Sequence, residues 1–169
     1  RPRRLTVTEI QTLIRDPYAI YAKHVLRLRP LRPLVPSADA LLRGILLHDV
    51  MERFVRDTLA RPDACRTDVL MQHARDILTS AVPWPAARML WHARIARAAD
   101  WIVETEGQRQ TQATPIAMEK DAIGRLEIPA IGTTIEGRAD RIDLDAQGNA
   151  ILYDYKSSMP PSADQQRFF

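Results

Sequence analysis

The sequence predicts an α+β fold, and two observations carry that expectation. Apolar residues recur at helical spacing through the first two-thirds of the chain, and glycine-broken, β-leaning segments follow. The change of character falls after Gly107. It divides the single domain expected over 1–169 into a helical part, 1–107, and a β-sheet part, 108–169. A chain of 169 residues suits one domain, and 46% apolar with 27% charged residues excludes disorder as the main state.

The first helix opens at Thr6, whose side chain and that of Glu9 form a capping-box pattern ahead of Ile10, Leu13 and Ile14. Pro17 interrupts it, and helical spacing resumes through Tyr18, Tyr21, Ala22, Val25 and Leu26. Pro30, Pro33 and Pro36 then make an extended connector. A second long pattern covers 38–59, with Leu41, Ile45, His48, Glu52 and Val55 near one line. A third covers 67–81 and stops at Pro83-Trp84-Pro85; an alanine-rich fourth covers 86–106. Trp91 and Trp101 are expected in the helical core, and Trp84, between prolines, is the tryptophan expected at the surface. His24, His73 and His92 lack metal-ligand spacing and read as structural. Gln108–Gln112 reads as a polar break. Candidate strands are 116–120, 126–129, 133–144 and 150–156, the last two joined by a turn at 145–149 in which Gly148 and Asn149 tolerate positive φ.

The net charge of +3 is small but unevenly spread. Arg1, Arg3, Arg4, Arg15, Lys23, Arg27, Arg29 and Arg32 crowd the first 35 residues against only Glu9 and Asp16, while residues 111–169 carry an acidic excess. A basic end serves either as an electrostatic footprint for nucleic acid or as an ordinary solvated face, and charge alone does not choose. The one cysteine, Cys65, excludes a disulfide framework and favours an intracellular home. No apolar run approaches the roughly 18 residues of a membrane span. The start at Arg1 and the stop after Phe168-Phe169 give the expectation of an excised, C-terminally truncated piece of a longer polypeptide.

The chemistry concentrates in the last hairpin. One strand reads Gly137-Arg138-Ala139-Asp140-Arg141-Ile142-Asp143 and the other Tyr153-Asp154-Tyr155-Lys156. Strand alternation puts Asp154 and Lys156 on one face and Tyr153 and Tyr155 on the other. Asp140 and Asp154 stand at similar distances from the turn, and the register decides whether they meet. Facing carboxylates repel unless a positive charge lies between them, and a hard divalent cation is the usual answer. Such a cation neutralises charge building on phosphate oxygens and makes water a better nucleophile, while Lys156 is within reach of the water or the phosphate. The alternative is a surface hairpin whose Asp140, Asp154 and Lys156 form an exposed ion cluster. Against it, the neighbouring Ile151, Leu152, Tyr153 and Tyr155 are apolar, and unpaired charge among them is costly.

These residues resemble the metal site of the PD-(D/E)XK nuclease superfamily, in particular the nuclease domain shared by RecB and AddB. The resemblance rests on the glycine-led strand with Asp140, on Asp154-Tyr155-Lys156-Ser157, and on a helical Gly44-Ile45-Leu46-Leu47-His48 with Glu52 and Phe54 following. Thr8–Ile14 and the Asp16-Pro17-Tyr18 step resemble the way such domains open. It spans almost the whole chain and is nearest the C-terminal part of AddB-like helicase–nuclease subunits. It implies a mixed or antiparallel sheet of the restriction-endonuclease-like type, against which the helical two-thirds pack.

By the resemblance, Asp140, Asp154 and Lys156 are catalytic. The metal is held by Asp140, Asp154, the Tyr155 carbonyl and His48, the last as a ligand or as a group bonded to one. Glu119 and Glu52 are possible accessory acids, and Arg138, Arg141, Arg27 and Arg29 are candidate DNA contacts. Mg²⁺ is the implied cofactor, with Mn²⁺ able to substitute. Two features depart from the family. Many AddB-type domains bind an iron–sulfur cluster through four cysteines, and one cysteine cannot do so, so no cluster is expected. The family's downstream Q-x-x-x-Y helix is not matched by Gln165-Gln166-Arg167-Phe168-Phe169, which leaves the isolated fragment's activity in doubt. The implied function is metal-dependent DNA hydrolysis, as an exonuclease, in recombinational double-strand break repair. It would take place in the bacterial cytoplasm at the nucleoid. Implied partners are DNA, the remainder of the polypeptide and an AddA-like helicase, with no membrane. The alternatives are a stand-alone exonuclease of the same superfamily and a catalytically silent DNA-binding or scaffolding domain.

Overall fold

A computed structural model describes residues 2–31 and 35–156. Arg1, Arg32, Pro33, Ser157 and the 165–169 run, all used in the sequence reading, lie outside the described residues. The chain is α+β and divides into two units, each built from two stretches of sequence: 1–36 with 117–139, and 37–116 with 140–169.

In the first unit, strand β1 (Arg4–Thr6) leads directly into helix α1 (Val7–Arg15). The capping box forms: Thr6 Oγ1 accepts from Glu9 N at 3.3 Å, and the Glu9 carboxylate accepts from Thr6 N at 2.8 Å. Asp16 then caps α2 (Pro17–His24), with Pro17 at the first helical position, where a missing N–H costs nothing. Strands β3 (Ile123–Ile128) and β4 (Thr133–Arg138) pair antiparallel, and β1 adds to β4 in parallel, giving a mixed sheet of order β1-β4-β3. Leu5, Ile20, Met118 and Ala122 are the buried apolar residues of this unit.

The second unit holds the long helices α3 (Ala40–Ala60), α4 (Thr67–Ala81) and α5 (Pro85–Gln112). Asp39 caps α3 through a 2.8 Å bond from Leu42 N. Val50 and Phe54 of α3, Leu70, Ala74 and Leu78 of α4, and Trp91 and Ala99 of α5 form the shared core. Strands β2 (Ala113–Met118), β5 (Arg141–Asp145) and β6 (Ala150–Tyr153) make a sheet of order β2-β5-β6, with β5 and β6 antiparallel. Asp145 closes the turn between them by accepting from the N–H groups of Gln147 and Asn149, and Gly148 takes the positive φ expected there.

Several elements differ from the sequence expectation. The stretch 133–144 is two strands in different sheets, broken at Ala139, whose N–H bonds the Ala122 carbonyl instead of a ladder partner. The 116–120 strand ends at Met118, so Glu119 sits in a 3-10 turn, Glu119–Asp121, with a left-handed φ of 46°. Gln108–Gln112 is the last part of α5, because Gln110 is anchored by polar bonds described below. Trp91 is buried as expected, but Trp101 is 65% exposed, and Trp84 packs against the core.

Candidate metal centre

The second unit brings His48 of α3 to the start of the β5–β6 hairpin. In the ladder Arg141 faces Tyr153, so Asp140 and Asp154 occupy the next opposed positions, just beyond its last pair. The Asp140 carboxylate is fixed from one side: Oδ2 accepts from Tyr155 N at 2.5 Å. Its other oxygen faces His48 Nδ1 at 3.4 Å. His48 Nε2 lies 3.0 Å from the Tyr155 carbonyl, and that carbonyl only accepts, so Nε2 carries the proton. In the neutral ring, Nδ1 therefore presents a lone pair beside a carboxylate oxygen. Two such acceptors call for a positive charge between them. The Tyr155 ring packs edge-on against His48, and its burial pushes the phenol above its ordinary range.

Asp154 and Lys156 share a face, as alternation requires, and pair at 2.7 Å. Both are exposed, against the expectation of charges embedded in an apolar stretch; it is Tyr153 and Tyr155 that turn inward. Among the described residues, the cluster of ligand atoms close enough to hold a metal includes His48 and Asp140 but not Asp154. Glu52 bonds Arg56 one helical turn on, at 2.9 Å. Glu119 belongs to the first unit and lies 3.8 Å from Arg138 there. Arg27 and Arg29 are exposed.

A model of the PD-(D/E)XK nuclease superfamily matches residues 4–168. The chain belongs to that superfamily. Its relatives include an uncharacterized protein of Rickettsia conorii, 28% identical over 95% of this chain and 20% of the relative, and one of Rickettsia bellii, 26% identical over 95% of this chain and 19% of the relative. A third, from Rickettsia typhi, is 24% identical over 99% of this chain and 20% of the relative. The chain thus spans about a fifth of the length of the curated relatives it matches.

PD-(D/E)XK nucleases use divalent metals, and this member's donors fit one. A carboxylate oxygen already oriented by a backbone N–H and an imidazole nitrogen with its tautomer set by a carbonyl are ligands held in place before any ion arrives. Behind them lies a buried network that the sequence reading missed. Arg141, expected to meet phosphate, is instead wholly buried and forked onto Asp143, with Nε–Oδ1 at 2.5 Å and Nη2–Oδ2 at 2.6 Å. Its Nη1 reaches Glu106 of α5 at 2.5 Å, and Gln110 links Glu106 to Thr58 of α3. Burial works against the guanidinium charge, but the bonds from Asp143 and Glu106 outweigh it and raise the Arg141 pKa. Arg141 is therefore no DNA contact. It anchors the residue next to Asp140 to α5. The available signal was the i, i+2 spacing of Arg141 and Asp143, which alternation puts on one face.

Proposed function

We propose that this chain is the metal-dependent deoxyribonuclease domain of an AddB-like helicase–nuclease subunit, acting as an exonuclease in recombinational double-strand break repair. The observation that carries the reading is the convergence of His48 Nδ1 and Asp140 Oδ1 at 3.4 Å, each held by a backbone group of Tyr155. In this reading Asp140 and His48 hold Mg²⁺, or Mn²⁺ in its place, with Asp154 as the second carboxylate and the Tyr155 carbonyl nearby. The Asp154–Lys156 pair is solvent-exposed, so little energy opposes its exchange for a cation. A bound cation supplies the positive charge that offsets charge gathering on the phosphate oxygens. Lys156, freed from Asp154, holds the attacking water or the phosphate. Glu119, the accessory acid that the resemblance implies, lies in the first unit, where its left-handed backbone costs on the order of 1 kcal/mol. Exposed Arg27, Arg29 and Arg138 supply phosphate contacts. An AddA-like helicase feeds the strand, and the rest of the polypeptide completes the grip on DNA. Among the described residues no helix is long and apolar enough to cross a membrane.

The test is cleavage of end-labelled single- and double-stranded DNA by the full polypeptide with Mg²⁺ or Mn²⁺. Cleavage from the ends is expected, abolished by chelation and lowered about 100-fold or more by Asp140→Asn or Lys156→Ala. Unchanged cleavage in both variants would move the chemistry elsewhere. No cleavage with either metal, with DNA still retained in a gel shift, would leave the silent DNA-binding domain.

A further inference from the structure

A cavity of about 390 Å³ opens in the second unit between α3, α5 and the 154–156 segment. Its volume is that of a small-molecule site. Trp91, Met51, Ile95 and Ile102 contribute apolar walls, and Trp101 contributes a ring that is 65% exposed. A large aromatic surface left in water at a cavity is costly unless something covers it. The charges lining the cavity are one-sided: Arg43, Arg94, Arg109 and Lys156 against Asp154 alone. Arg109 lies over the Tyr153 ring and Lys156 pairs with Asp154, but Arg43 and Arg94 have no ion-pair partner among the described residues. The fitting ligand is flat and apolar at one end and anionic at the other. Asp154 and Lys156 line this cavity and also flank the proposed phosphate-cleaving site, so the anion is a phosphate and the flat group is its base.

We propose that this cavity receives one unpaired nucleotide beside the scissile phosphate, with the base stacked on Trp101 and the phosphate met by Arg43 and Arg94. The inference rests on the nucleic-acid reading above and adds a base-accepting pocket to it. A duplex base, still stacked and paired, could not enter, so the pocket selects frayed or single-stranded ends.

The probe is a nucleoside 5′-monophosphate titrated calorimetrically into the full polypeptide without metal, as dAMP and as AMP, with inorganic phosphate and adenosine as separate arms. Saturable binding of a monophosphate, at least about tenfold tighter than phosphate or adenosine alone, is expected. Whether dAMP or AMP binds tighter identifies the sugar the pocket favours. Trp101→Ala should weaken binding about tenfold or more, as loss of a stacked base does, while Trp101→Phe retains it. Arg94→Glu should weaken the monophosphate but not adenosine. Equal binding by Trp101→Ala, equal binding of phosphate alone, or no binding of either monophosphate would overturn the proposal. The last is also the result if the chain's own continuation fills the cavity. Because no metal is present, binding that survives a failed cleavage assay counts against the nuclease reading only, and cleavage without binding counts against this pocket only.

Discussion

Arg141 shows how much a single side chain is asked to do. Removing it strands Glu106 and Asp143 as buried charges, and breaking such a pair costs about 3–5 kcal/mol. Arg141→Ala should therefore lower the unfolding free energy measured in urea by an amount on that scale, and Arg141→Lys should recover little, since an ammonium cannot reproduce the fork. A loss under 1 kcal/mol would mean that water reaches the network. Glu9 gives the pH dependence of the first unit. Burial would raise its carboxyl, but Lys23, the Thr6 N–H and His24 together hold it down at about 2, against an ordinary 4.5. The folded chain thus keeps Glu9 ionised where the unfolded chain would protonate it. Its contribution is complete above pH 4.5 and disappears as pH falls toward 2. It amounts to at most about 3 kcal/mol, less the screening by water around the exposed Lys23. Denaturation at pH 5.5 and pH 3 should show this difference in the native chain and not in Glu9→Gln. The sequence revealed Glu9 through its capping spacing. It did not reveal Arg141, because alternation assigns a face without saying whether that face is covered.

At the scale of elements, legibility followed the locality of the cause. Helix α4 spans the expected 67–81, since its period and the Pro83 stop are both local. The α1 cap and the 145–149 turn were legible for the same reason. Helix α5 runs past Gly107 to Gln112 because Gln110 bonds Thr58 and Glu106, partners that spacing in the sequence does not disclose. Strand β1 was missed; three residues have no period, and only β4, far along the chain, makes them a strand. The hairpin was legible but its register was not; the ladder, with Arg141 facing Tyr153, is what opposes Asp140 and Asp154. Nor was the outward turn of Asp154 onto Lys156 legible, because burial of Tyr153 and Tyr155 decides it. Gly137 tests an element-level constraint. A Cβ there would meet Val7 Cγ2 of α1 at 3.1 Å, whereas one at Gly124, its ladder partner, meets nothing within 4 Å. Gly137→Ala should cost about 1 kcal/mol in thermal or urea unfolding, and Gly124→Ala should be neutral or slightly stabilising. Equal effects would show that Val7 yields freely.

Over the whole molecule, the donors come from distant sequence: His48 from the middle of α3, Asp140 and Tyr155 from either side of the last hairpin. An ion that binds only when they are assembled stabilises the folded state by mass action, about 2.7 kcal/mol at a hundred times its dissociation constant. Adding Mg²⁺ or Mn²⁺ should accordingly raise the unfolding midpoint, and chelation or Asp140→Asn should remove the increment. A shift that persists in Asp140→Asn would place the ion elsewhere. The discontinuity of both units also sets a schedule during synthesis. A ribosome adding about 5–20 residues per second releases His48 roughly 5–20 s before Asp140, some ninety positions later. Strand β1 waits longer still than α3 for something to pair with, since β4 begins only at Thr133. A nascent chain whose translation stalls before the hairpin carries His48 and the long helices but not Asp140, so an ion that needs both finds no site until the hairpin has emerged.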